Sequence, residues 1–304
     1  MLKLLLPTLL FFTYIQAQIL PYDIKPTSMQ SSHFMKITLL DAKELNFPPK
    51  DNLAVSELSA LALNGENLYA LSDKGYLYHF KIKIKNDHIK TLKLKKAFVL
   101  QNEKHKRLKK KYRDAEGLVF VDNKLLISFE RKPRVELYSL DGIKIKNKKI
   151  HKDLRDLKLY KSENKALEAL AYNEKYGIVT TPEKPLKNKN KKFHRLYTKE
   201  NIYKFKASGG VSALEFIDDD TLMVLERKFN GLSFQRVITL SKVFLDNCKK
   251  NLCKEEILAI FDSNDGWNVD NFEGLTKVGK NRYLMVSDDN DSLLQKTLLV
   301  LFKI

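Results

Sequence analysis

Five residues able to take part in acid–base or hydrogen-bonding chemistry recur at the head of one pattern in this 304-residue chain: Ser59, Glu116, Glu168, Ser212 and Glu273. Each is followed by a small residue and then Leu, after which come an alternating apolar stretch, a polar turn and a second apolar stretch. Each pattern ends in an acid: Asp73, Glu130, Glu183, Glu226 and Asp288. The distance from head to terminal acid is 14, 14, 15, 14 and 15 positions. If the repeats are equivalent, the heads gather in one place, and a carboxylate is costly to bury alone. Gathered carboxylates bind a cation, share protons or pair with bases. Glu116 and Glu273 are the first candidates for catalytic acid–base work, because each carries Asp114 or Asn271 upstream and Gly117 or Gly274 directly after. Glu168 joins them as the third carboxylate among the heads. The same position in every repeat equally suits an architectural role, with the heads hydrogen-bonded to neighbouring units.

Arg113, three residues before Glu116, is a candidate partner for it. Arg131 and Arg227 directly follow the second and fourth terminal acids. An Arg beside gathered acids serves either as a fork for a substrate phosphate or as a salt bridge between units. Asp288, Asp289 and Asp291 form the densest oxygen cluster, and hard oxygens suit Ca²⁺, though not in a twelve-residue calcium-loop pattern. Asp218 to Asp220 is more simply a hairpin turn. There is no Gly-x-Ser-x-Gly elbow, no phosphate-binding Gly-x-x-x-x-Gly-Lys loop and no His-Glu-x-x-His.

What positions these residues is a repeat. From one patterned Leu to the next the period is 57, 52, 44 and 61 residues, through Leu61, Leu118, Leu170, Leu214 and Leu275. Each repeat opens with two short strands joined by Asn, Asp or Gly, which is hairpin chemistry. More strand-like sequence follows, as in Tyr76 to Phe80 and Val135 to Tyr138. Antiparallel units of about 50 residues are the blades of a β-propeller. The expected fold is therefore all-β, a propeller of about five blades, with a sixth degenerate blade allowed by the uneven period. Phe34 to Leu40 is a spare strand before the first repeat, and it is expected to pair with the C-terminal unit and close the ring.

Residues 1–17 carry Lys3, an apolar run and a terminal Ala17, the order of a secretory signal; residues 18–304 then form a single domain. No later apolar run is long enough to span a bilayer, so no transmembrane segment is expected after cleavage, and a periplasmic or secreted location follows. The two cysteines, Cys248 and Cys253, are expected to form a disulfide in such a compartment. The net charge of +18 comes mostly from lysines spread through the loops. The basic runs at 104–113 and 187–195 lack the interleaved aromatics of a stacking surface, so nucleic acid is not an expected partner.

The segments Asp114-Ala115-Glu116-Gly117-Leu118 and Asn271-Phe272-Glu273-Gly274-Leu275, with the closing Ser287-Asp288-Asp289-Asn290, resemble the phytase-like (esterase-like activity of phytase) domain family. The resemblance runs from about Ser56 to the C-terminus. It implies an exported bacterial hydrolase of a phosphate ester or another anionic ester; Arg113, Arg131 and Arg227, beside the gathered acids, are the expected contacts for such an anionic small molecule. The acid-rich motif of the calcium-dependent propeller phytases is missing. A propeller that binds an envelope component without catalysis is the alternative.

Overall fold

In the computed structural model, residues 18–163 and 165–304 are described, and all are strand, short 3₁₀ turn or loop. The expected signal segment lies outside the described residues. The chain begins with β1 (Gln18–Pro21), β2 (His33–Phe34) and β3 (Ile37–Asn46). Then come four meanders of four antiparallel strands. The first is β4 (Leu58–Asn64), β5 (Asn67–Ser72), β6 (Tyr76–Lys85) and β7 (His88–Val99). The second is β8 (Ala115–Val121), β9 (Lys124–Phe129), β10 (Arg134–Tyr138) and β11 (Lys144–Lys148). The third is β12 (Leu167–Asn173), β13 (Gly177–Pro182), β14 (His194–Tyr197) and β15 (Ile202–Phe205). The fourth is β16 (Gly210–Phe216), β17 (Thr221–Asn230), β18 (Gln235–Lys249) and β19 (Leu252–Asp262). The last strands are β20 (Asn271–Gly279), β21 (Arg282–Asp288) and β22 (Leu298–Lys303), and β22 pairs antiparallel with β3.

The third and fourth meanders make one eight-stranded sheet, joined only by a parallel pair between Lys204 and Leu252. The turns follow the local sequence. Asp122 and Asn123 both take positive φ, 49° and 55°, the two left-handed positions that a two-residue hairpin needs. Cys248 and Cys253 face each other across β18 and β19 and form a disulfide.

The strands alternate faces with period two, and each face packs on a different neighbour. Leu284 and Val286 of β21 pack with Leu68, Ala70 and Tyr78 of the first meander. Tyr283 and Met285, which alternate with them in sequence, pack with Met223, Leu225 and Ile238 of the fourth. Three further cores lie between the first and second, second and third, and third and fourth meanders. The innermost strands accordingly touch in a closed cycle: β4 with β8, β8 with β12, β12 with β16, β16 with β20, and β20 with β4.

Candidate functional site

The five repeat heads occupy one equivalent position, and the backbone marks it. In every inner strand the ladder shifts register at the head, between Leu58 and Ala60, Ala115 and Gly117, Leu167 and Ala169, Val211 and Ala213, and Phe272 and Gly274. Each head is thus the extra residue of a β-bulge, a device that re-aims a side chain. All five are buried. Ser59 donates to the carbonyl of Ala115, 2.7 Å away in the next inner strand. Ser212 donates to that of Phe272, at 3.1 Å. The hydroxyl heads therefore tie neighbouring inner strands together.

The structure corrects the alignment of the fourth repeat. Ser72, Phe129, Pro182 and Ser287 each pair with the residue before a head, and Asp73, Glu130, Glu183 and Asp288 come next. In the fourth repeat the residue paired before the head is Glu226 itself, opposite Val211. The matching position is Arg227. Glu226 turns to the other face, where its carboxylate accepts from the backbone N–H groups of Ser208, at 2.6 Å, and Gly209, at 3.1 Å. Arg227 reaches between the heads on either side of its own meander. Its guanidinium donates to Glu168 at 2.6 Å, to Glu273, and to Asn271 at 2.7 Å. Of the two roles open to this Arg, it therefore fills that of a salt bridge between units.

On the other side of the ring Asp73 takes the equivalent place between Glu116 and Glu273, and among the described residues no ion pair is made to it, the adjoining Lys74 pairing with Glu57 and Asp291. Among the described residues the Glu116 carboxylate has no hydrogen-bond partner although it is only 6% exposed, and Asp73 Oδ1 and Glu168 Oε2 are buried without partners. Burial, followed by the charges of Asp73 and Glu168, pushes the Glu116 carboxyl well above its usual range. Burial, Glu273 and Asp288 do the same for Asp73. Glu273 and Glu168 also rise through burial, against the pull of Arg227. Glu130 rises through burial and Glu168, and burial brings Asp288 up to about 7. Like charges this close cannot all ionise at neutral pH without a counter-charge.

Two sets of carboxylate oxygens lie within 4.8 Å of one another, Asp73 with Asp114 and Glu116, and Asp73 with Glu273 and Asp288. These hard donors, with Asp73 Oδ1 and Glu116 unpartnered, fit a metal ion. Of the three expected metal ligands, only Asp288 belongs to them. Asp289 accepts from the Glu57 N–H and from the Thr297 hydroxyl, at 3.0 and 2.7 Å, and Asp291 pairs with Lys74 on the surface. Arg131 is bonded to Asp114. Among the described residues no ion pair joins Arg113 to Glu116; Arg113 instead packs its backbone against Gly75. The sequence reading missed Asp73 and Asp114 as ligands. Their signal lay in the repeat itself, since Asp73 is a terminal acid and Asp114 stands two residues before a head.

Below the heads the axis is filled. Side chains and backbone from all five inner strands line a void of about 10 Å³, too small to be counted as a channel. The glycines after Glu116 and Glu273 serve this packing. A Cβ on Gly117 would stand 2.6 Å from that of Leu170, and one on Gly274 would stand 2.6 Å from Val286 Cγ1. These two glycines therefore allow neighbouring strands to approach closely. Beside the ring a cleft of about 530 Å³ is walled by Lys165, Lys184, Arg227, Lys228 and Arg236, with Glu183 and Asp270 among them; Arg227 links it to Glu168 and Glu273.

Comparison with known proteins gives a family. The chain is similar to Myxococcus xanthus glutaminyl cyclase, with 10% identity over 88% of this chain and 96% of that one and a TM-score of 0.48. It is also similar to a chain of the mitotic checkpoint complex, at 12% identity over 81% of this chain and a TM-score of 0.40; it spans 61% of that chain. The computationally designed Ika4 protein matches at 14% identity over 68% of this chain and 94% of that one, with a TM-score of 0.30. No curated protein matches in sequence. The family model described as "Esterase-like activity of phytase" matches residues 53–291, and the chain belongs to this phytase-like family.

Proposed function

We propose that the chain is a hydrolase of an anionic ester, a phosphate ester in the first instance, working where the basic cleft meets the carboxylate ring. One observation carries this reading: Arg227 lines the cleft and also holds Glu168 and Glu273. The cleft's lysines and arginines would draw in and orient the anion. Glu116, whose carboxyl burial raises well above its usual range, would take a proton from the attacking water once a counter-charge in the ring holds it ionised. A neighbouring carboxyl kept protonated by burial would return one to the departing ester oxygen, the division of labour expected where environments hold acids apart. Asp73 with Asp114 and Glu116, or Asp73 with Glu273 and Asp288, would hold a hard divalent cation, Ca²⁺ by its preference for carboxylate oxygen, which would supply positive charge beside the ester.

In this reading the four meanders and the β20–β22 unit, completed by β3, are five propeller blades in one domain of residues 18–304. The disulfide supports an exported, periplasmic or secreted protein. Among the described residues no helix is long and apolar enough to cross a membrane. The salt bridge from Arg227 to two heads favours, as a second reading, a non-catalytic propeller that binds an envelope component.

The test is hydrolysis of p-nitrophenyl phosphate and p-nitrophenyl acetate, with and without Ca²⁺, by the wild type, Glu116→Gln and Glu273→Gln. Glu116→Gln should lose at least about 100-fold in rate, the scale of acid–base catalysis, and melt no lower, since it breaks no hydrogen bond. Glu273→Gln should lose activity and stability together. No turnover of either ester by the wild type, with Ca²⁺ present, would assign the chain to the binding class.

A further inference from the structure

We propose that the face carrying the cleft docks on an anionic lipid bilayer, held by two apolar fingers. The five most exposed large apolar side chains among the described residues are Phe229 (59%), Leu232 (97%), Phe234 (72%), Leu293 (105%) and Leu294 (93%). The next, Met35, is 46% exposed. All five sit on two excursions from the fold. One is the tip of the β17–β18 hairpin, where Asn230 pairs with Gln235 and residues 231–234 protrude. The other is the loop 289–297 between β21 and β22. Phe229 from the first and Asn290 and Gln295 from the second line the same cleft, so the fingers rise from its two walls.

Isolated exposed leucines are ordinary, but gathered ones mark a surface that meets something apolar. The choice of a lipid surface rests on charge. Lys228 adjoins Phe229, the Arg236 guanidinium lies 5.6 Å from the centre of the Phe229 ring, and Lys165 and Lys184 stand in the same cleft wall. A first tip flanked by Lys228 and Arg236 and a cleft wall carrying Lys165 and Lys184, on a chain of net charge +18, match an interface of acyl chains beneath anionic headgroups, with Asp289 and Asp291 of the second finger the acids that this charge outweighs. The leucines insert and the bases stay at headgroup level. Docking would present the cleft to anionic groups at the membrane plane. This does not depend on catalysis.

Co-sedimentation with vesicles tests it, using phosphatidylglycerol–phosphatidylethanolamine against phosphatidylcholine alone. Partitioning should be at least about tenfold stronger on the anionic vesicles, as several bases near such a surface dictate. The double variant Leu232→Asp/Leu293→Asp should lower partitioning at least about tenfold, as expected when exposed leucines can no longer leave water, without changing Tm. No binding to anionic vesicles, or binding that the double variant leaves intact, overturns the proposal. A concentration-dependent dimer that the same variant disperses, with no vesicle binding, would give the fingers to a second copy of the chain and also overturn it.

Discussion

Arg227→Met should be among the most damaging single substitutions in the ring. The guanidinium bonds Glu168, Glu273 and Asn271, and the two Glu side chains are only 3% and 6% exposed. At an effective dielectric of about 20 and charge centres about 4 Å apart, each pair is worth roughly 4 kcal/mol before desolvation. Burying the guanidinium, whose side chain keeps 23% exposure, offsets much of that. Removing one partner from a buried pair leaves the other charges uncompensated, and the typical loss is about 3–5 kcal/mol. Urea unfolding at pH 8 in EDTA should show this loss. Adding Glu168→Gln and Glu273→Gln should restore most of it, with a coupling of at least about 2 kcal/mol in the cycle. Both carboxyls are raised above 4.5 in the folded state, so the folded chain binds their protons more readily than the unfolded chain. Stability from these groups therefore rises as pH falls toward 4.5, and the Arg227→Met deficit should shrink between pH 8 and pH 5. A loss under about 1 kcal/mol, additive with the Glu changes, would refute the hub role of Arg227.

Burial and then the charge of Lys184 hold His194 down to about 4, from 6.5. The unfolded chain takes up this proton first, so stability should fall as pH drops from about 6.5 to about 4, by up to about 3 kcal/mol. His194→Phe should flatten that part of the profile, and an unchanged slope would remove His194 as its source. Gly274→Ala brings a Cβ to 2.6 Å from Val286 Cγ1 and 3.0 Å from the Ala60 backbone, and should cost about 2 kcal/mol or more through overpacking. Gly279→Ala meets nothing within 4 Å and should leave urea unfolding nearly unchanged; equal losses would show that the contact is not the cause.

Head positions were legible because a small residue followed by Leu is a steric requirement of inner strands that pack side by side. Glu116, Glu168 and Glu273 were found that way. Arg227 was assigned one place too late, because chemical type was matched where register was needed. Phe216 pairs with Leu222, leaving five residues in the turn, whereas Leu63 pairs with Leu68 across four. An acid lies at the shorter count, and only the ladder shows that Glu226 faces away. Asp114 was read only as context for Glu116, because its oxygens approach Asp73 through the arrangement of neighbouring meanders, which no local pattern encodes. The filled axis was equally invisible: strand periodicity says which side chains point inward and not whether they meet.

The bulge at every head has a consequence for how this site can change. A residue outside the ladder exchanges no strand-to-strand hydrogen bonds at its own position, so its side chain can be replaced without re-registering the sheet. The five heads then act as sockets of fixed geometry, filled here with two hydroxyls and three carboxylates. A relative could carry a different assortment, and with it a different charge at the mouth, on an unaltered backbone. The recognition chemistry of such a ring is written in five letters, and the limits on their spelling come from the partners each side chain meets and not from the ladder of its own strand.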